Sequence, residues 1–244
     1  MHWIMSMNSF ELSRPDVGVV VVAAGRGLRA GAGPAKQFRP IAGVPMLLRS
    51  LRPFLMHPAV HVVVVVVPVE VAAKPPDWLG SLAGERLRVV AGGAERLDSV
   101  EAGVAVCAAE VEVILVHDGA RPFVDPGVIG AVIAEARAGR GAVAAVPLSD
   151  TLKSATRGPG PIHILGTVPR EGLWRAQTPQ GFPRTMLAAA LAAARREGRG
   201  ATDDAALCEA IGAPVTLIED LTTNFKVTSA ADFVLAEAVA KEWR

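Results

Sequence analysis

Residues 17–36 read VGVVVVAAGRGLRAGAGPAK, a β-branched run that passes directly into a loop carrying Gly25, Gly27, Gly31 and Gly33. A continuous valine run without polar alternation marks a strand buried on both faces. The glycines after it mark a backbone that turns sharply and offers N–H groups to an anion. The strand half of this pattern recurs at Val62 to Val67, Leu87 to Val90, Val113 to Val116 and Val143 to Val146. Between the runs lie apolar stretches of helical period, among them Asp98 to Ala109 and Pro126 to Ala138. Doubly buried strands alternating with helices predict a three-layer α/β/α fold on a mostly parallel sheet.

Working outward, 244 residues suit one domain, taken as 16–244, with 1–15 a loose extension. Val44 to Met56 has a helical period, but Pro53 inside it should kink or end the helix. Thr202 stands before Asp203 and Asp204 as the start of a helix that stops at Gly212, and Ser229 with Asp232 has capping-box spacing. Residues 148–170 are broken by proline and glycine, lack a helical period, and predict an irregular arm projecting from the sheet.

A net charge of +1 opposes general nucleic-acid binding, which normally needs a strongly basic surface. The valine run Val62 to Val67 falls far short of the about 20 residues that cross a bilayer. The N-terminus lacks a basic start followed by an apolar stretch, and Cys107 and Cys208 sit in apolar patterns that suit buried thiols. These features predict a cytoplasmic protein without membrane partners. Charge is unevenly placed: Val17 to Val69 contains no Asp or Glu, whereas Arg26, Arg29, Lys36, Arg39, Arg49 and Arg52 all fall there. Local positive potential of this kind points to a small polyanion.

On these residues alone the glycine loop has three readings. It can cradle phosphates, or form a plain turn with solvated cations. It also contains G-x-G-x-x-A from Gly25 to Ala30, a partial dinucleotide fingerprint. That fingerprint expects a helix and then an acid about 20 residues on. Here Gly31, Gly33 and Pro34 interrupt the helix, and the first acid is Glu70. The histidines show no metal spacing and no G-x-S-x-G serine accompanies them, so neither a zinc site nor a hydrolytic triad is expected. His117 reads as structural.

Five segments occur in order: AAGRGLRAGAGPAKQF (23–38), GGAERLDSV (92–100), VHDGARPFV (116–124), PLSDTLK (147–153) with TVPREGLWRAQTPQGF (167–182), and TDDA (202–205) with NFKVT (224–228). Together they resemble the 2-C-methyl-D-erythritol 4-phosphate cytidylyltransferases, within the nucleotide-diphospho-sugar transferase fold. The resemblance covers nearly everything after residue 16. It implies transfer of CMP from CTP to the acceptor phosphate with release of pyrophosphate, assisted by Mg2+ held mainly through the CTP phosphates. A ribitol 5-phosphate cytidylyltransferase is the nearest alternative; a non-catalytic nucleotide-binding module or a dinucleotide-binding oxidoreductase is the alternative of another class.

The resemblance also implies site residues. Ala23, Ala24, Gly25 and Gly27 bind CTP, and Arg29 and Lys36 stabilise the transition state at the α-phosphate. Two reacting anions need such fixed cations independently of any family. Gly92, Gly93 and Ser99 receive the cytosine; Ala94 stands where relatives often carry a polar or acidic residue, so base contacts there fall to the main chain. Asp118, two residues beyond the strand ending at Val116, faces ribose and metal, either as a direct ligand or from behind one. Arg121 organises its loop, with a purely structural pair to Asp118 as the bland reading. Thr151 and Arg170 complete the neighbour's acceptor pocket in a homodimer. Thr178 and Thr202 lie near the acceptor, Thr202 being equally explicable as a helix cap, and Lys226 holds the acceptor phosphate.

Overall fold

The computed structural model describes residues 15–25, 35–200 and 202–243. Its first strand, β1 (Val17–Val22), is followed by a short ribbon of β2 (Pro40–Ile41) and β3 (Val44–Pro45) and by helix α1 (Met46–Met56). Then come β4 (Val60–Val67), α2 (Val69–Ala73), α3 (Asp77–Leu82), β5 (Leu87–Ala91), α4 (Arg96–Ala105), β6 (Val113–Asp118), α5 (Pro126–Arg137) and β7 (Gly141–Pro147). A hairpin of β8 (Leu152–Ala155) and β9 (Ile164–Val168) precedes β10 (Trp174–Pro183), α6 (Arg184–Glu197), α7 (Asp204–Ala210), β11 (Val215–Glu219) and α8 (Ala230–Glu242).

Seven strands form one sheet in the order β11-β7-β10-β6-β1-β4-β5. β10 runs antiparallel to both of its neighbours, and the other pairings are parallel. Side-chain alternation along each strand creates the three layers. Val17, Val19 and Val21 of β1 face one core with Leu47, Leu51 and Phe54 of α1 and Ile129 and Val132 of α5. Val20 faces the other core with Val100 of α4, Leu187 and Leu191 of α6, and Leu207 and Cys208 of α7. All six valines from Val62 to Val67 are essentially inaccessible, as a central strand covered on both faces requires.

Four local expectations are corrected. α1 continues past Pro53 to Met56, because Leu47, Leu51 and Phe54 on either side of the proline are fully buried on one core. That burial outweighs the roughly 3 kcal/mol a mid-helix proline costs. Asp203 rather than Thr202 caps α7, its carboxylate accepting the Ala206 N–H at 3.0 Å. Cys107 lies beyond the end of α4 rather than within it, although both cysteines are free and buried. The arm at 148–170 holds an antiparallel hairpin that pairs Lys153 with Thr167 and Leu152 with Val168 and shifts register after Ser154. Two of its three glycines, Gly158 and Gly160, lie at the tip with φ of +136° and +118°, while Gly166 pairs with Ser154 within the ribbon.

Candidate active site

From β1 the sheet grows outward to β4 and β5, and the chain then returns to place β6 on the other side of β1. Such a reversal opens a crevice at the carboxyl ends of the two strands. Here it holds a cavity of about 440 Å³, walled by Val22 to Gly25 after β1, Gly93 to Arg96 after β5, and Asp118 to Ala120 after β6. β6 extends to Asp118, which pairs with Val22, so the carboxylate ends the strand instead of standing two residues beyond it.

A single turn, Lys36–Phe38, closes the near wall. The buried Gln37 side chain donates to the carbonyls of Ala23 at 2.8 Å and Gly25 at 3.3 Å, clamping the exit of β1. Lys36 donates to the Val227 carbonyl at 2.8 Å, a contact across 191 positions of sequence. The glycines of the far wall permit close approach. A methyl group on Gly92 would lie 2.5 Å from the Ala24 Cβ, and one on Gly93 2.2 Å from the Asp98 Cβ. Glu95 and Asp98 then close a capping box that starts α4. Ser99, 2% exposed, donates to the Glu95 carbonyl.

The floor is a charge cluster around Asp118. Its Oδ1 accepts from Arg96 at 2.9 Å, and its Oδ2 meets Lys226 at 2.9 Å and Arg121 at 3.4 Å. Burial opposes a charge on Asp118, yet Lys226, Arg96 and Arg121 outweigh it and hold the carboxyl well below the usual carboxylate range. Arg96 reaches a second carboxylate, Asp204, at 2.7 Å. Burial raises Asp204, and the Arg96 charge acts against that rise. Arg121 also donates to the Asn224 carbonyl at 2.8 Å. Behind Asp118, the Thr178 hydroxyl accepts its backbone N–H at 3.0 Å and meets His117 Nδ1 at 3.0 Å. Burial pushes the His117 imidazole down to about 4, so it is neutral near pH 7.

Of the residues singled out from the sequence, Ala23, Ala24, Gly25, Lys36, Gly93, Ser99, Asp118 and Lys226 line the cavity. Gly92 packs behind the wall, and Arg121 sits beneath Asp118. Thr178 is 4% exposed with its hydroxyl turned to the Asp118 backbone N–H and to His117, so it holds the end of β6 from behind. Thr202 is exposed and outside the cavity lining. Thr151 and Arg170 are exposed beside the hairpin, where Arg170 donates to the Ser149 carbonyl. Gly27 and Arg29 lie outside the described residues. Sequence reasoning passed over Arg96, Asp204 and Gln37. Arg96 and Asp204 looked like ordinary residues at helix starts, and only their pairing across 108 positions gives them a role in the site.

The family model for 2-C-methyl-D-erythritol 4-phosphate cytidylyltransferase matches residues 17–242. The protein of that name from Frankia casuarinae is 42% identical over 229 residues, covering 93% of this chain and 82% of the relative. The bifunctional enzyme IspD/IspF of Desulfotalea psychrophila is 40% identical over 225 residues; there the match takes in 92% of this chain but 56% of the longer protein. The crystal structure of 2-C-methyl-D-erythritol 4-phosphate cytidylyltransferase from Thermus thermophilus is similar at a TM-score of 0.76 and 36% identity, covering 93% of this chain and 99% of that one.

Proposed function

This chain belongs to the 2-C-methyl-D-erythritol 4-phosphate cytidylyltransferase family, and on that footing we propose that it transfers CMP from CTP to 2-C-methyl-D-erythritol 4-phosphate. An oxygen of the acceptor phosphate attacks the α-phosphorus in line. The bond to the β-phosphate breaks, and pyrophosphate and 4-diphosphocytidyl-2-C-methyl-D-erythritol leave. No general base is required, because a phosphate monoester is already largely ionised near neutral pH. One observation carries the reading: Lys36 and Lys226, from opposite ends of the chain, meet one cavity through the Lys36 to Val227 contact.

In this reading Lys36, with Arg29, stabilises charge on the equatorial oxygens of the α-phosphate, where fixed donors act without reorganising. Lys226 takes the acceptor phosphate. The wall of Gly93, Ala94 and Ser99 faces the cytosine, with the main chain supplying contacts at Ala94. Magnesium fits the donor set as a guest of the triphosphate. Among the described residues no group of three or more His, Cys, Asp or Glu side chains could hold it alone. One hard oxygen from Asp118 beside phosphates and water suits its preference. When bound, magnesium neutralises charge on the departing pyrophosphate.

A homodimer belongs to the same proposal. Ile162, Ile164 and Leu165 of the arm are 78%, 67% and 69% exposed, more apolar surface than an isolated hairpin leaves in water. A second copy seated there would bring Thr151 and Arg170 to its neighbour's acceptor pocket. A cytoplasmic location is supported by two cysteines that are both free and buried, and no helix of the described residues is long and apolar enough to cross a membrane. The deciding experiment supplies purified protein with CTP, magnesium and either methylerythritol 4-phosphate or ribitol 5-phosphate and measures pyrophosphate. Release with the first acceptor is expected; silence with both refutes the transferase reading.

A further inference from the structure

Three cations surround Asp118, but they are not held alike. The Arg121 side chain is 11% exposed, and its far end is fixed on the Asn224 carbonyl. The Arg96 side chain is 25% exposed, and its far end is fixed on Asp204. Lys226 is 44% exposed and reaches Asp118 through a flexible stem whose tip faces the cavity. Within ion-pair distance, two carboxylates, Asp118 and Asp204, therefore meet two anchored guanidinium groups and one loosely held ammonium. If Lys226 turned away, Asp118 would keep Arg96 on Oδ1 and Arg121 on Oδ2.

We propose that Arg96 is a positioning residue that keeps Asp118 and Asp204 neutralised, so that Lys226 is free to leave Asp118 for the incoming acceptor phosphate. The inference rests on the cytidylyltransferase reading for the identity of that phosphate. Asp118 then serves as a resting post for Lys226 between turnovers, and Arg96 sets how firmly the post holds. Without the Arg96 charge, Asp204 would lose the cation that meets it at 2.7 Å, and Asp118 would keep Arg121 and Lys226 alone. A buried carboxylate stripped of a partner is costly, so Lys226 would be retained where it rests.

The test combines steady-state kinetics with chemical labelling. Arg96→Gln should raise the KM for the acceptor phosphate about tenfold or more, the equivalent of one charge-assisted hydrogen bond, with a smaller change in the KM for CTP. The double variant Arg96→Gln with Asp204→Asn removes the stranded carboxylate and should recover most of that loss. Asp204→Asn alone, a milder change, should leave the acceptor KM unchanged or lower it. In parallel, reductive methylation of Lys226 read by mass spectrometry should slow in Arg96→Gln and recover in the double variant. An unchanged acceptor KM in a folded Arg96→Gln protein overturns the proposal. So does a double variant as impaired as the single one, or an Asp204→Asn protein that loses acceptor affinity tenfold. The labelling arm needs no turnover, so an enzyme that releases no pyrophosphate refutes the transferase reading while Lys226 still reports on Arg96.

Discussion

The charge cluster around Asp118 takes Thr178 from β10, the strand that follows the hairpin of β8 and β9 in the chain, and the two regions are built on opposite terms. In the cluster, charge is buried and closed within one chain: Asp118, Thr178 and Asn224 are at most 7% exposed, and every ion pair has both members present. In the hairpin, apolar side chains are displayed and nothing in the same chain covers them among the described residues. Among the described residues Arg96 Nε and Asn224 Oδ1 lack a hydrogen-bond partner there, but the ion pairs themselves need no second copy. A region that exposes isoleucine and leucine on a ribbon of two strands is where the second copy proposed above would sit.

The sharpest way to break this comparison is to open the cluster. Asp118→Ala leaves Arg96, Arg121 and Lys226 without their shared carboxylate and should cost about 3–5 kcal/mol of stability, read as a lowered urea midpoint at unchanged slope. Removing a cavity cation acts on rate instead. Lys36→Ala should lower turnover by about 10²-fold or more at unchanged circular dichroism, and near-normal pyrophosphate release would refute its role. On the hairpin side, mixing Lys36→Ala with Arg170→Ala protein should restore part of the lost turnover, because one shared site in each mixed dimer carries both intact residues. Mixed dimers that form yet stay inactive would detach the arm from the site.

Smaller effects sharpen the contrast. Ile164→Glu should abolish self-association in sedimentation while changing monomer stability by no more than about 0.5 kcal/mol, since the side chain is already exposed. Asp232 holds the cavity-lining Thr228 through the Thr228 N–H and hydroxyl, at 2.7 and 2.8 Å. Burial works against its charge, but those bonds and the cap of α8 bring its carboxyl down to about 2 from 3.8. A depressed acid contributes stability above its unfolded value and loses it as pH falls. Asp232→Asn should therefore flatten the acid limb of the stability curve between about pH 4 and 2, and an unchanged limb would remove Asp232 from the account.

The sheet was legible because doubly buried strands must be continuous runs of β-branched residues, and Val17 to Val22 and Val62 to Val67 are such runs. The hairpin was hidden for the opposite reason. Both of its faces are largely exposed, so neither β8 nor β9 carries an apolar period. In the cavity, Asp118 and Lys226 stood out through their motifs, and the structure joins them at 2.9 Å. Arg96 and Asp204 did not, because an ion pair between distant segments leaves no local pattern. Pro53 and Thr202 share a cause: local propensity allowed a kink or an end at the one and a cap at the other, whereas packing carries α1 on to Met56 and the Asp203 carboxylate caps α7.

β10 pairs with β7 at Ala176 opposite Ala145 and again at Gln180 opposite Val143, so four steps on one strand match two on the other. The surplus chain, Gln177 to Pro179, is where Thr178 turns toward the Asp118 backbone. That surplus is buried and tied down, the Thr178 hydroxyl by Asp118 and His117 and its carbonyl by the Asn224 side chain at 2.8 Å, beside the Gln180 side chain that holds the N-terminal turn of α7. The ladder thus leaves Ala144 of β7 without a partner on β10, and the chain so released carries Thr178 to the floor of the cavity.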